Sequence, residues 1–512
     1  MDGRLLVERL LVYAKTYLHL EDCDTDYMRN VLLSRFSLTD PYEGEADFSD
    51  IGNMDVPDAL VAEIEEYATE SALADENGAE RFAADIFGIL TPLPSVINEE
   101  FLRIKKSSGV QAACDYLYAL CVKNYYIQKT AIGRNLKWEY QDGANRLEIT
   151  VNLSKPEKNN KDIAKLLTAP QGKKYPKCQL CKENEGFEGT STHPARRNLR
   201  TVKVKLGGEN WFVQYSPYAY YDEHCIAINE AHVPMNVNER TPAKLLDFVD
   251  AFPNYFIGSN ASLPIVGGSI LNHEHFQGGL HLMPMHKAGY AKYYRSAQFA
   301  DLTIGILDWY NSAIRFEGKN REEVEAFAVK AIAAWRDFSC PECDILCRTG
   351  ETQHNAVSPI LRKIGELYSF TMILRNNRTD DRYPDGIFHV HPEYQNIKSE
   401  GIGLIEAMGL FILPGRLKRQ LEEIARILCG QAPYDPKALE KADHDLHVHR
   451  HMIAALIAEG MAKDMQEATM RCEAYVNKVC AAILDNTAVF KKDQNGRNGF
   501  EKFMQMLSLE EV

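Results

Sequence analysis

The chain has 512 residues, and 58 Lys+Arg against 72 Asp+Glu give a formal charge of −14. At about 150 residues per domain, that length predicts roughly three domains and a sizeable core. An acidic chain without a long Lys/Arg cluster excludes ordinary nucleic-acid binding, whose affinity comes mainly from phosphate neutralisation. It argues against an anionic membrane surface for the same reason.

At the N-terminus, Arg4, Glu8, Arg9 and Lys15 interrupt the apolar residues, so no secretory leader is expected. No apolar run reaches the roughly 18 residues of a membrane span. Twelve cysteines are too few for a disulfide scaffold. The expected compartment is the cytoplasm, where closely spaced Cys pairs read as metal or redox sites.

Residues 1–135 read as a helical region for packing or dimerisation. Leu5, Leu6, Val7, Leu10, Leu11 and Tyr13 make a stripe of helical spacing, and residues 58–73 repeat it. A further helix is expected over 109–126. From Trp138 the pattern changes. Strands are expected over 146–151, 201–205, 210–215 and 225–228, and helices over 241–252, 297–310 and 321–338. Residues 367–374 read as a strand, 375–381 as a turn, 415–428 as a helix, and the tail from Pro436 as mostly helical. The division expected is a helical region (1–135), a first core half (136–345), a second core half (346–435) and a helical tail (436–512).

The densest chemistry lies in Gly267–Gly279, GGSILNHEHFQGG. On one extended strand, His273 and His275 would share a face about 6.6 Å apart, with Gln277 next on that face. The flanking glycines let a ligand approach the backbone and can present N–H groups to an anion. Cys178-Gln179-Leu180-Cys181 has the spacing of half a zinc site. A thioredoxin-like redox pair needs a strand before it, and here a loop leads in, so zinc is preferred. His232 and His273 would complete a tetrahedral Cys2His2 set. A rival ribbon would instead use Cys340 and Cys343. His389 and His391 form a second His-x-His, read as lying on a strand, with His354 upstream. His444, His447, His449 and His451 read mainly as a solvated helical face.

Taken together, these residues carry a resemblance. YPKCQLCKENEGFEG (175–189), THPARRNLR (192–200), WFVQYSPYAYYDEHCIAINEAHVPM (211–235), GGSILNHEHFQGG (267–279), HNAVSPILRK (354–363), LRNNRT (374–379) and GIFHVHPEYQNIKSEGIGLIEAMGLFILPGRLK (386–418) resemble the galactose-1-phosphate uridylyltransferase family. The likeness is to its second, Gram-positive-type class, within the histidine triad superfamily. It implies an α+β fold: a duplicated histidine-triad-like antiparallel sheet core between helical additions.

The resemblance also implies chemistry. UMP would pass from UDP-glucose to galactose-1-phosphate through a uridylyl-histidine on His275, in the Leloir pathway of galactose metabolism. Gln277 would donate to a phosphoryl oxygen. His273 would bind zinc with Cys178, Cys181 and His232, and its carbonyl would orient His275. Asn260, Gly268 and Ser269 are the candidates for the nucleotide phosphates, with Arg196 and Arg197 adding charge. Two positions depart from the family pattern: Asn272 stands where Ser is expected, and His286 where Glu is expected. A second metal near His286, His354, His389 and His391 follows from the first class, as does a homodimer by analogy. The competing readings are a histidine-triad hydrolase or phosphorylase acting on a nucleotide sugar or dinucleotide, and a non-catalytic zinc scaffold.

Overall fold

A computed structural model describes residues 2–75, 78–154, 175–190, 193–268 and 270–512. Their contacts divide into two compact units. The first takes the described residues within Met1–Arg134, Lys158–Val233 and Gln277–Leu280; the second takes those within Asn135–Glu157, Pro234–Phe276 and His281–Val512.

In the first unit the helical stripe forms as expected. Asp2 caps Gly3–Tyr17 by accepting from the Arg4 N–H at 2.9 Å, which satisfies one of the unpaired amides of the first turn. Leu6, Val7, Leu10, Leu11 and Tyr13 are buried along one face. The Tyr13 hydroxyl donates to the Lys123 carbonyl at 2.8 Å, so this large side chain packs without stranding its polar end. Thr25–Arg35, Asp58–Glu70, Ala79–Leu90, Pro94–Ser108, Val110–Lys123 and Lys129–Gly133 complete the α-helices of residues 1–134 among the described residues. Asp85, almost fully buried, pairs with Arg35 and with Arg197. The strands of this unit run antiparallel: Val202–Leu206 against Glu209–Tyr215, and that strand against Cys225–Asn229. Gln277–Gly279, the end of the His275–Gly279 strand, lies next in order.

The second unit is built on a larger antiparallel arrangement. Its strands follow the order Glu510–Glu511, Tyr290–Arg295, Thr303–Leu307, Ala313–Gly318, Leu367–Asn376, Asn355–Ile364 and Phe256–Gly258. Phe316 and Phe370 stack across neighbouring strands at 4.9 Å between ring centres. Trp335, on the helix Arg321–Asp337, is fully buried, and its indole N–H donates to the carbonyls of Ala356 and Arg375. A separate sheet joins Leu136–Asp142 and Asn145–Asn152 antiparallel, and adds Leu410–Pro414 parallel to the latter. The architecture is α+β with antiparallel sheets, as expected.

Three local expectations fail. Residues 297–310 contain the strand Thr303–Leu307 rather than a helix. The β-branched Thr303, Ile304 and Ile306 suit a strand, and Gly305 leaves room for the Tyr290 ring, which a Cβ would meet at 2.4 Å. His389 and His391 lie in a loop, not on a strand. There Gly386 takes a left-handed φ of 121°, and Pro384 and Pro392 can donate no ladder hydrogen bond. The histidines near 450 do not share one helical face, because the chain passes through His447–His449 as a short 3-10 turn before Arg450–Ala458. His449 is fully buried rather than solvated: its ring is held between Asn396 and Gln420.

Candidate active site

The Cys178–Cys181 loop belongs to the first unit. The two sulfurs lie 3.6 Å apart, and His232 Nδ1 lies 3.8 Å from Cys178 Sγ and 3.1 Å from Cys181 Sγ. A tetrahedral zinc with bonds of about 2.3 Å to sulfur and about 2.0 Å to nitrogen would need edges of about 3.8 Å and 3.5 Å. The three donors therefore fit such an ion. The loop is held from behind by Asn184, whose amide donates to the carbonyls of Cys178 (2.9 Å) and Cys181 (2.8 Å). Its oxygen meets His193 Nε2 at 2.6 Å. Burial pushes the Cys178 thiol up to about 11.

His273 and His275 lie in the second unit, and both are buried. The strand starts at His275, so His273 sits in the bend before it and does not share its face. That geometry replaces the expected side-by-side pair with a backbone contact. His275 Nδ1 lies 2.8 Å from the His273 carbonyl. A carbonyl only accepts, so Nδ1 carries the proton and Nε2 keeps its lone pair. Burial lowers the His275 pKa to about 4, which leaves the ring neutral near pH 7. Between the two histidines, Glu274 forms a buried ion pair with Lys244 at 2.8 Å. Lys244 comes from the helix Thr241–Ala251, so the pair ties the bend to that helix.

Asn260 is buried, and its side-chain oxygen accepts from the Leu404 N–H at 2.8 Å. A Cβ on Gly268 would lie 2.6 Å from Asn260 Nδ2, so glycine there lets the amide donor approach the chain. Ser269 lies outside the described residues. In the first unit, Arg197 is committed to Asp85 at 3.2 Å. Arg196 donates to the Ala195 carbonyl and sits over the Tyr126 ring.

The expected second metal group does not assemble. The residues His286, His354, His389 and His391 are not among the metal-holding groups found in the described residues. His354 bonds Asn377 and Thr349, while His391 stacks on Tyr383 and meets the Ile387 carbonyl. His286 is buried edge-on to Phe256, with both ring nitrogens unpaired among the described residues. Arg362, Arg315 and Lys287 around it lower its pKa after burial does. A cation would be repelled there rather than held. Cys340 and Cys343 belong to no metal-holding group found in the described residues, so the four-Cys alternative is not supported: Cys340 Sγ contacts Cys343 Sγ and Glu342, and Cys343 Sγ donates to the Asn495 carbonyl.

Sequence patterns missed three supports of the site: Asn184, the Lys244–Glu274 pair and His224. The first two join residues whose spacing carries no motif. His224 stood inside the quoted stretch 211–235 without a role.

The family description "Galactose-1-phosphate uridyl transferase, N-terminal domain" matches residues 39–234, and its C-terminal counterpart matches residues 248–451. The chain belongs to the galactose-1-phosphate uridyl transferase family. A galactose-1-phosphate uridylyltransferase of Caldanaerobacter subterraneus subsp. tengcongensis is 42% identical, covering 98% of both chains. Proteins of the same name from Fusobacterium nucleatum and Bacillus subtilis are 39% and 38% identical at similar coverage. No solved structure matches. The matched ranges take in Cys178, Cys181 and His232 on one side and His273, His275 and Gln277 on the other. Among the described residues, no helix is long and apolar enough to cross a membrane.

Proposed function

We propose that this chain transfers UMP from UDP-glucose to galactose-1-phosphate by double displacement at His275. The observation that carries the reading is the Nδ1–H···O=C bond from His275 to His273 at 2.8 Å, in a chain of this family. It leaves Nε2 of a neutral imidazole as the nucleophile.

Nε2 attacks the α-phosphorus of UDP-glucose. The N–P bond forms, the bond from phosphorus to the bridging oxygen breaks, and its electron pair leaves with glucose-1-phosphate. A phosphate oxygen of galactose-1-phosphate then attacks the same phosphorus. The N–P bond breaks, the lone pair returns to Nε2, and UDP-galactose departs. Gln277 follows His275 by two positions on one strand, on the same face. Its amide N–H donates to a non-bridging phosphoryl oxygen as charge grows there. The leaving group is already a weak base, so a neutral amide suffices where a hydrolase would use a third histidine as acid. Asn260 Nδ2, Gly268 and Ser269 are assigned to the nucleotide phosphates, with Arg196 and Arg197 contributing positive charge.

Cys178, Cys181 and His232, with His273 as the fourth donor, are assigned to zinc. Bound there, the ion would supply a structural tie among these residues. We place the protein in the cytoplasm, where its thiols stay reduced, and as a homodimer by analogy with shorter relatives.

Isotope exchange tests the transfer. Labelled glucose-1-phosphate should enter UDP-glucose with no galactose-1-phosphate present, because the first half-reaction stands alone. No exchange in a protein that turns over would overturn the double displacement. Rapid release of UMP to water, independent of any sugar phosphate, would instead favour a hydrolase.

A further inference from the structure

His224 lies one residue before the strand Cys225–Asn229 and is almost fully buried. Its backbone is pinned at both ends: its N–H donates to the Tyr221 carbonyl, and its carbonyl accepts from Ser216 N–H. Its ring stacks on Tyr220 at 5.2 Å and packs against Tyr221 at 4.6 Å. Tyr221 in turn donates its hydroxyl to the Gly278 carbonyl, next to Gln277. The imidazole is therefore fixed relative to the Gln277–Gly279 end of the catalytic strand.

One ring nitrogen has a partner. His224 Nε2 lies 3.3 Å from Gln277 Oε1, while Nδ1 has no hydrogen-bond partner among the described residues. Burial keeps the ring neutral, so it carries a single proton. Were that proton on Nδ1, a buried N–H would go unpaired and two lone pairs would face each other across the contact. Leaving a buried donor unpaired is the costlier arrangement. The proton therefore sits on Nε2 and is donated to the Gln277 oxygen.

We infer that His224 is a positioning residue that fixes which way the Gln277 amide faces. An amide side chain can turn over by 180° and exchange its oxygen for its NH2. With the oxygen held by His224, the NH2 group is the end left for a phosphoryl oxygen. Without that hold, the reversed amide would point an acceptor at a negatively charged group. The inference rests on the reading in which Gln277 donates to the phosphoryl group. It adds the residue that makes the donation one-directional.

The test measures single-turnover uridylylation and steady-state rates with UDP-glucose. His224→Phe keeps a flat ring between the tyrosines and removes the donor. It should fold with an unchanged melting curve and lose about five- to tenfold in kcat, the worth of about one hydrogen bond. KM should hold, because the lost contact strengthens in the transition state. His224→Gln, which can still donate, should recover part of the rate. His224→Leu, which cannot donate, should lose as much as Phe. In a Gln277→Ala background, His224→Phe should have no further effect. Equal losses in both backgrounds, or Leu performing as well as Gln, would overturn the inference while leaving the role of Gln277 standing. If Gln277→Ala itself turned over at the wild-type rate, the underlying reading would fail, and this inference with it.

Discussion

Cys178–Cys181 and Cys340–Cys343 have the same spacing, and their surroundings give them different work. The first pair has His232 within 3.8 Å of both sulfurs and Asn184 holding both carbonyls. The second pair faces the helix Gln494–Met506. There Cys343 Sγ donates to the Asn495 carbonyl, and a Cβ on Gly499 would come within 2.5 Å of that sulfur. One pair has donors spaced so that a cation could be held, and the other is a packing surface. The two His-x-His sequences divide in the same way. His273–His275 is bound into a strand entry by its own carbonyl, whereas His389–His391 sits in a proline-bounded loop where each ring finds separate surroundings. A short motif supplies the atoms, and the partners around it decide whether they converge.

The sharpest break in that comparison is kinetic. His275→Ala should reduce turnover by at least about 10³-fold, since no other group can form the intermediate. His391→Gln should still form it, as read by glucose-1-phosphate release in a single turnover. The next effect is on stability. Lys244→Met leaves Glu274 buried without its partner, and chemical denaturation should show a loss of about 3–5 kcal/mol. Metal content separates the two Cys pairs. Cys178→Ser should bind markedly less zinc by elemental analysis than wild type, and Cys340→Ser should match wild type. Equal losses from both variants would revive the four-Cys arrangement.

Less of the site was legible where no motif marks it. CxxC and HxHxQ are local patterns whose chemistry follows from residue type, so Cys178, Cys181, His275 and Gln277 could be read directly. His232 needed only a histidine at a plausible distance along the chain. The strand entry at His275 was misplaced by two residues, because alternation cannot tell a strand from the bend that leads into it. Residues 297–310 were misread because their apolar spacing also suits a helix; what decides it is a neighbouring strand and the room beside Gly305. His224 escaped because its role depends on a residue 53 positions away.

The smallest expected effect concerns pH. His449 is neutral and buried, with a pKa lowered to about 4 by burial. An exposed imidazole in the unfolded chain titrates near 6.5, at about 2.5 units higher. Between those values the unfolded chain binds a proton that the fold refuses, so stability falls as pH drops through that window. At pH 5 the loss from this group is about 2 kcal/mol. Denaturation midpoints of His449→Gln should therefore fall less between pH 7 and pH 5 than those of wild type. An identical slope would show that His449 is not kept neutral by the fold.

The central claim is a covalent bond between His275 and UMP. The most direct measurement incubates the protein with UDP-glucose alone, quenches in base to spare the N–P bond, and reads the intact mass. The account predicts one uridylyl adduct per chain, absent from His275→Ala and lost when galactose-1-phosphate is added. A wild-type protein that turns over yet shows no adduct would contradict it.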